Sequence, residues 1–336
     1  MKSLLKYLSP FAPDQSGAVS VFFEFGGLIV ILDAGGCTGN ICGFDEPRWF
    51  TAKSAIYSAG MRDIDAILGR DDKLVKKLAD AMEGTPLSFT ALIGTPVPAI
   101  IATDFRALKR MTEKRTTLPV MAVECIGTRL YDKGEEDAYQ VLFQEFAKEK
   151  LPVVKGRAGV LGATPLELSR TDSTFLKEQL YHKGWQELFV YGMGSTLEDL
   201  KKASSVEKNL VLAPAAVKTA KFLEEKFGTP WEICTPEYPE LPLPSPGKKV
   251  LILHQQFIAY ALREKIPHAD VASFFMMKDP WKKEGDTALH NEEEFTLLCE
   301  KYDVIIGDKH LKRAARSFRG EWIDLPHYAV SGRLEA

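Results

Sequence analysis

The sequence has no long apolar segment, no surplus of basic residues and few cysteines. Its longest apolar stretch, Val19 to Leu32, spans about 14 residues, contains Glu24 and is too short to cross a bilayer. Lys and Arg total 43 against 46 Asp and Glu, which gives no indication of binding to nucleic acid or to an anionic membrane surface. Five cysteines are too sparse, and odd in number, for a disulfide framework, so we expect free, metal-bound or reactive thiols.

Motifs that identify several common enzyme classes are also absent. The chain has no Gly-x4-Gly-Lys-Ser/Thr motif, so it is not predicted to bind ATP through a P-loop. Gly192-x-Gly194 lacks the third glycine of a dinucleotide fingerprint, and there is no His-Glu-x-x-His motif or nucleophile elbow. Residues Met1 to Leu8 lack the apolar core of a secretory signal, and the expected location is the cytoplasm.

The 336 residues exceed what one ordinary core contains, and strand-like and helix-like segments alternate. We therefore predict an α/β fold of three doubly wound, mostly parallel sheets. The predicted units are residues 1–150, 151–235 and 247–336. The segment 236–246 reads as a stiff linker because it contains five prolines, Pro236, Pro239, Pro242, Pro244 and Pro246.

Helix signals are clearest in the middle unit. Thr164 to Glu167 forms a capping-box pattern with a proline at the first helical position. Ser195, with Glu198 three residues later, predicts a second capped helix after the turn at Gly192 to Gly194.

The segment Leu32 to Trp49 is the densest in chemical groups. It follows an apolar run that predicts a strand, and it holds Cys37 and Cys42 among the glycines Gly35, Gly36, Gly39 and Gly43. Glycines let a backbone wrap closely around a bulky group, and thiolates at this spacing occur in one ferredoxin class. The same pattern also fits a glycine-rich loop with two buried thiols.

Other candidates lie outside this loop. Cys125 follows a predicted strand at the sheet edge where open α/β sheets bind ligands. Cys234 and Cys299 are more typical of structural thiols. The charged segment Asp45 to Trp49 has two interpretations, a salt-bridged helix start or an element that closes a site.

Taken together, these segments resemble nitrogenase component 1 and its relatives. The resemblance covers nearly the whole chain and is most specific in Leu210 to Trp231. Other similar segments are Gly17 to Cys37, Tyr57 to Lys73, Thr164 to Thr171, Gly192 to Asp199, Asp303 to Gly307 and Ile323 to Arg333. The resemblance implies three Rossmann-like domains, paired subunits, an iron–sulfur cluster at the subunit interface and a separate ATP-hydrolysing iron protein as electron donor.

Several positions of this chain differ from the family pattern, and these differences limit the functions that the resemblance implies. Cys37 falls on a family cluster cysteine, but Pro13 and Asp14 fall at the earlier cysteine and Thr95 at the later one. Asp14 is a candidate ligand because a relative uses an aspartate from one subunit. Ala213 and its neighbour Pro214 fall near the cysteine that anchors the molybdenum cofactor, so a dinitrogen-reducing subunit is not expected.

Three hypotheses follow. The leading one is a nitrogenase-like reductase subunit that passes low-potential electrons to an unknown substrate. Its [4Fe–4S] cluster would be held by Cys37, Cys42 and Cys125, and either Asp14 or a homodimeric or heterodimeric partner chain would supply the remaining ligand. The second is a non-catalytic scaffold or carrier for a metal cluster or tetrapyrrole. The third is a cluster-free partner subunit of a longer homologue.

Overall fold

The computed structural model describes residues 5–51, 54–82, 84–238 and 241–335, so Pro239 and Glu240 of the predicted linker lie outside it. The described residues form three β-sheets in which every pair of neighbouring strands is parallel. This confirms the prediction of an α/β fold with three parallel sheets. The unit boundaries at 150, 235 and 247 stay a prediction.

The first sheet has the strand order β2-β1-β3-β4. Its strands are β1 (Leu28–Ile31), β2 (Ala55–Ser58), β3 (Thr90–Ile93) and β4 (Val120–Val123). The helices of this part are α1 (Asp14–Phe22), α2 (Gly36–Asn40), α3 (Asp63–Leu68), α4 (Asp71–Met82), α5 (Pro96–Ile100), α6 (Phe105–Thr116) and α7 (Tyr131–Phe146).

The middle sheet has the order β6-β5-β7-β8. Its strands are β5 (Val154–Leu161), β6 (Glu187–Val190), β7 (Val206–Val211) and β8 (Trp231–Ile233), and its helices are α8 (Pro165–Leu168), α9 (Thr174–His182), α10 (Leu197–Lys201) and α11 (Val217–Phe227). One predicted cap was wrong by a residue. Helix α10 is capped by Thr196 with Asp199, not by Ser195 with Glu198, and Ser195 is buried instead.

The third sheet has the order β11-β10-β9-β12-β13. Its strands are β9 (Val250–Leu253), β10 (Asp270–Ser273), β11 (Thr287–Ala288), β12 (Val304–Gly307) and β13 (Glu321–Asp324), and its helices are α12 (Gln256–Lys265), α13 (Glu292–Cys299) and α14 (Tyr328–Ser331). Tyr238 and Leu241 of the proline-rich segment pack against the core between the middle and third sheets. That segment is therefore held against the fold where it is described.

Helix α1 takes the place of the first half of the strand that the apolar run Val19 to Leu32 predicts. All nine residues of α1 are buried, so the helix has no polar face and its sequence shows no helical period. A Cβ on Gly17 of α1 would overlap the carbonyl oxygen of Tyr131, and a Cβ on Gly134 of α7 would overlap that of Asp14. Close packing against α7, which a local pattern does not reveal, therefore determines this helix.

Helix α7 is also the element at which the cores of the first two sheets merge. One apolar cluster contains Ile29 of β1, Phe143 of α7 and Val211 of β7. A second cluster joins Val160 of β5 to Ile252 of β9. The three sheets thus share their cores. In the described part of the chain, no helix is long and apolar enough to span a membrane.

Candidate functional site

A glycine-rich turn at the carboxyl end of β1 carries two of the predicted ligands. Gly35 has a φ of 118°, a conformation that residues with a Cβ rarely adopt, and the chain then enters α2, which contains Cys37. Cys42 lies in the π-helical turn Ile41–Asp45 that continues α2. Both thiols are partly exposed. The two cysteines therefore lie on one continuous turn, which we call the cysteine turn (Gly35–Asp45).

The glycines of the cysteine turn face open space. A Cβ placed on any of four glycines would meet no atom within 4 Å; these are Gly35, Gly36, Gly39 and Gly43. Open space on this side leaves room for a group, or another chain, to approach the backbone closely. The predicted role of Gly35, Gly36 and Gly39 in cofactor binding stays a prediction.

Asp33 holds the cysteine turn against the first sheet. One oxygen of its buried carboxylate accepts hydrogen bonds from the backbone N–H and the hydroxyl of Thr38, at 2.8 and 3.1 Å. The other oxygen accepts from the hydroxyl of Ser58 on β2, at 2.7 Å. These contacts fix the start of α2. They also place the negative charge of Asp33 close enough to act on both cysteines.

The thiols of Cys37 and Cys42 are protonated in these surroundings. Burial raises the pKa of Cys37, and the charge of Asp33 raises it further. Burial, then the charges of Glu46 and Asp33, raise the pKa of Cys42. Because the thiolate is the form that ligates a metal, metal binding here would have to displace protons beside nearby carboxylates.

Strand β3 separates the cysteine turn from Cys125. The strand order places β3 between β1 and β4, and Cys125 follows β4. Cys125 is 1% exposed, and burial, then the charge of Asp14, raise the pKa of its thiol well above the ordinary value. Thr95, which follows β3, donates to the carbonyl of Leu32 at 2.7 Å and hydrogen-bonds the thiol of Cys37. The topology thus brings Cys125 to the same sheet edge as the turn, on the far side of Thr95.

Asp14 organises the loop that follows β4. Its fully buried carboxylate accepts from the backbone N–H groups of Ile126 and Gly127, at 2.9 and 2.8 Å. It also accepts from Nε of Arg129 at 2.8 Å. Within one chain Asp14 therefore positions the loop that carries Cys125. Its role as a cluster ligand stays a prediction that requires it to exchange these donors for a metal.

These residues do not complete a metal site within one chain. Among the residues that the structure describes, no three His, Cys, Asp or Glu side chains are placed to hold a metal ion together. A [4Fe–4S] cluster takes four ligands. The described residues of one chain do not supply four such ligands together.

Arg48 ties the end of the cysteine turn to two other elements. Its buried guanidinium binds both carboxylate oxygens of Glu46, with Nε–Oε1 at 2.8 Å and Nη2–Oε2 at 2.6 Å. Nη2 also donates to the carbonyl of Ser20 in α1 at 2.8 Å, and Nη1 donates to the carbonyl of Gly192 in the middle unit at 2.5 Å. These contacts favour the structural interpretation of the Asp45 to Trp49 segment.

Replacing Arg48 by Met should lower the free energy of unfolding by about 3–5 kcal/mol, because Glu46 would be left buried without its counter-ion. Chemical denaturation measures the loss, and limited proteolysis should show faster cleavage in the cysteine turn. The double variant Glu46→Gln/Arg48→Met should recover part of the stability. Arg110→Met, which removes an exposed arginine, is the matched control, and equal effects of Arg48→Met and Arg110→Met would contradict the anchoring role.

A buried polar cluster joins the three units, and sequence reasoning did not find it. The hydroxyl of Thr164, after β5, donates to Oε1 of Glu135 in α7 at 2.6 Å. The carboxyl of Glu167 in α8 lies beside that of Glu135 and beside the phenol of Tyr131. The hydroxyl of Tyr131 hydrogen-bonds Nε2 of His327, which precedes α14, at 3.0 Å. Side chains from all three units therefore form one chain of polar contacts.

The only local signal of this cluster was the capping pattern from Thr164 to Glu167. The side chain of Thr164 does accept from the backbone N–H of Glu167, at 3.3 Å. The carboxyl of Glu167, however, points to the interior cluster and is fully buried. The capping pattern therefore predicted the start of the helix, but it did not predict that Glu167 belongs to the buried cluster.

Burial determines the protonation of the cluster. It raises the pKa of Glu135 to about 8, and together with the charge of Glu135 it raises the pKa of Glu167 well above the ordinary range. Burial lowers the pKa of His254 to about 4, and burial together with His254, on which His327 stacks at 4.3 Å, lowers that of His327. At neutral pH the two histidines are neutral and the carboxyl pair retains a proton.

Stability should therefore fall as the pH rises from about 7 to 8. In the unfolded chain the glutamates are already ionised in this range and histidines are largely neutral. The folded chain keeps its carboxyl proton up to about pH 8, so it binds more protons than the unfolded chain. For each additional proton that the folded chain binds, the free energy of unfolding falls by up to about 1.4 kcal/mol when the pH rises by one unit.

Urea denaturation at several pH values measures this slope. Glu167→Gln, which replaces one titrating carboxyl by a neutral amide, should flatten it, whereas Glu198→Gln at an exposed position should not. If the free energy of unfolding fell equally steeply with pH in the wild type and in Glu167→Gln, the proposed proton on the carboxyl pair would be contradicted.

Comparisons with known proteins agree with this architecture. The model of the family described as "Nitrogenase component 1 type Oxidoreductase" matches residues 14–236. A solved structure described as nitrogenase Cp1 at pH 6.5 superposes with a TM-score of 0.74 at 13% identity, covering 97% of this chain and 87% of that chain. A second, nitrogenase Cp1 at pH 5, gives a TM-score of 0.63 at 15% identity, covering 98% and 78%. At these identities the likeness shows the fold. No curated protein matches the chain.

Proposed function

This chain belongs to the nitrogenase component 1 type oxidoreductase family, and we propose that it is a reductase subunit that shares an iron–sulfur cluster with a second chain. The observation that carries the proposal is the cysteine turn. Two partly exposed thiols lie beside glycines that face open space, and one chain does not complete a metal site among its described residues. Such a half-site is what a cluster between two subunits would need from each of them.

In this role Cys37 and Cys42 would hold the cluster, which when bound supplies one-electron transfer at low potential. The neighbouring groups would orient and tune it. Thr95 hydrogen-bonds the Cys37 thiol, and Asp33 fixes the backbone of the turn. Cys125 and Asp14 are further candidate ligands, since Cys125 lies at the same sheet edge and Asp14 lies beside it.

The proposed partner surface surrounds the cysteine turn. Phe44 in the turn is 71% exposed and Phe50 shortly after it is 95% exposed. Ile100 in α5, after β3, is 82% exposed, and Ile126, after β4, is 37% exposed. Phe44, Ile100 and Ile126 follow carboxyl ends of strands in the first sheet, where a homodimeric or heterodimeric partner would cover apolar area and contribute ligands. Phe50 leads into the amino end of β2, at the opposite edge, and is not part of this surface.

The electron donor would be a separate protein. The chain has no P-loop motif, so we propose that ATP-dependent electron delivery comes from an ATP-hydrolysing iron protein, as the family resemblance implies. The substrate remains unassigned in this proposal.

A specific observation favours a second candidate, a cluster-free partner subunit. Of the predicted thiol ligands only Cys37 and Cys42 share a turn, and the thiols are protonated beside carboxylates. A chain of this kind would complete the surface of a longer homologue without ligating metal. A scaffold or carrier would instead bind a metal cluster or a tetrapyrrole without delivering electrons.

Replacing Cys37 by Ala should remove most of the iron that the anaerobically purified assembly contains, because a thiolate at the centre of the half-site is lost. Iron and sulfide quantification with EPR spectroscopy measures the loss. Cys299→Ala, in a fully buried helix position of the third unit, is the matched control and should keep its iron. Full iron with an unchanged spectrum in Cys37→Ala would reject the cysteine turn as the site. Wild-type protein without iron, alone and with a longer homologue, would favour the cluster-free subunit.

Phe44→Asp should weaken the dimer at least about tenfold, because it places a charge in the proposed apolar interface. Light scattering over a range of micromolar concentrations measures the association. Leu243→Asp, at a 60% exposed position in the proline-rich segment, is the control and should leave the dimer intact. A wild-type chain that is monomeric with its cluster bound would exclude the shared site.

A further inference from the structure

The segment of the third unit between β12 and β13 is strongly basic. Residues 309–319 contain no Asp or Glu and six basic residues, which are Lys309, His310, Lys312, Arg313, Arg316 and Arg319. Lys312, Arg313 and Arg316 are exposed, and in the described part of the chain none of them is paired with a carboxylate. Because the whole chain has a net charge of −3, this segment is a local concentration of positive charge.

A cavity of about 670 Å³ lies between this basic segment and the cysteine turn. His310 and Arg313 line it from the third unit, and Gly43 and Phe44 line it from the turn. His310 and Arg313 are three residues apart in a 3-10 helix, Lys309–Arg313, where side chains at this spacing point in the same direction. The basic segment therefore borders the partner surface proposed around the cysteine turn.

The walls of the cavity are held in place by contacts across it. The hydroxyl of Tyr328 in α14 donates to the carbonyl of Phe44 at 2.8 Å. The backbone N–H of Ala12, in the N-terminal segment that also lines the cavity, donates to the carbonyl of Ala329 at 2.9 Å. Since the cavity is formed before anything occupies it, a partner would lose little free energy in ordering its walls.

Apolar surface and positive charge lie side by side here. Phe44 is 71% exposed. Asp45 is the acidic side chain among the described residues that line the cavity, and its Oδ2 accepts from the hydroxyl of Ser16 at 2.6 Å and from Nδ2 of Asn40 at 2.8 Å. Its contacts are therefore made within the first unit. Arginine and exposed aromatic side chains beside a cavity are typical of the residues that anchor protein interfaces.

The balance of charge favours a protein as the occupant. Nucleic acids are bound mainly through many phosphate contacts along an extended basic surface, and anionic membranes attract clusters of basic residues in a similar way. Here the basic segment is short, and the chain as a whole has 46 acidic residues against 43 Lys and Arg. An acidic protein segment needs only a local patch of opposite charge.

We propose that this surface docks an acidic segment of a partner protein, with an apolar side chain of that segment in the cavity beside Phe44 and its carboxylates on the basic segment around Arg313. The proposal deepens the proposed function by giving the chemistry of the partner, and it rests on that function for the presence of a partner. It does not require a bound cluster.

Calorimetric titration of the full-length protein with capped peptides tests the proposal. The peptide Glu-Glu-Phe-Glu-Glu should bind saturably, and raising sodium chloride from about 0.05 to about 0.3 M should weaken binding because salt screens the charges. Replacing the four glutamates by glutamine should weaken binding at least about tenfold, since the attraction to the basic segment is lost. Replacing the phenylalanine by glycine should also weaken it, since nothing then fills the cavity.

Arg313→Glu should weaken binding of the acidic peptide at least about tenfold, because it puts a like charge opposite the carboxylates. Arg110→Glu in α6 changes the net charge by the same amount at an exposed position of the first unit, so it is the matched control and should bind as the wild type does. Both positions are exposed, and circular dichroism should show the same fold for both variants.

Photo-crosslinking of the wild type locates the peptide without a variant. A peptide with benzoylphenylalanine in place of its phenylalanine should crosslink to residues that line the cavity. No binding of the acidic peptide, equal binding of the glutamine or glycine peptide, equal binding by Arg313→Glu and Arg110→Glu, or crosslinks elsewhere would each overturn the proposal.

Other occupants are distinguished in the same experiments. A single-stranded RNA or anionic lipid vesicles that bind more tightly than the peptide, and lose binding in Arg313→Glu, would overturn the proposal. So would self-association that Arg313→Glu removes while the peptide fails to bind, because the surface would then belong to a second copy. Iron content is measured in parallel. Peptide binding by a chain without iron would support the docking surface and count against the cluster alone.

Discussion

The geometry of the cysteine turn depends on one buried guanidinium. Arg48 donates hydrogen bonds to both carboxylate oxygens of Glu46. It also donates to the carbonyl of Ser20 in α1 and to the carbonyl of Gly192 in the middle unit. A turn with four glycines has little intrinsic stiffness, because glycine restricts the backbone least. The turn can therefore hold two thiols in fixed positions because Asp33 fixes its start and Arg48 fastens the segment at its far end to buried elements.

Most strands and helices of this chain could be predicted from the local sequence pattern. Helix α1 shows where such a prediction fails. Parallel strands such as Val250–Leu253 are short apolar runs bounded by polar residues, and the structure places a strand there. Residues Val19 to Phe22 are also mostly apolar, but they lie in a helix. What decides between the two is the close approach of Gly17 to the backbone of α7, a contact between residues more than a hundred positions apart. Periodicity carries no information about such a contact.

Some features of the candidate site could likewise be predicted from the local sequence, and others depend on the fold. That Cys37 and Cys42 lie on one turn could be predicted from the sequence, because only four residues separate them. The relation of Cys125 to that turn could not, because it depends on β3 lying between β1 and β4. The polar contacts of Glu135 and Glu167 were hidden for a further reason. Each glutamate lies in a helix, where a charged residue is expected at the surface, and only the packing of three units turns both inward.

The charges around the cysteine turn bear on what it would do with a cluster. Arg48 offsets the charge of Glu46. In the described part of the chain, Asp33 accepts hydrogen bonds from neutral groups, and its charge acts on both thiols. Without metal, burial together with this charge keeps the thiols protonated, which opposes metal capture by a single chain. With a cluster in place, the same charge would oppose the addition of an electron, since the net charge around a cluster sets its potential. One buried carboxylate would thus favour both properties of the proposed function: a site that forms only when a second chain supplies ligands, and a cluster that gives up its electron readily.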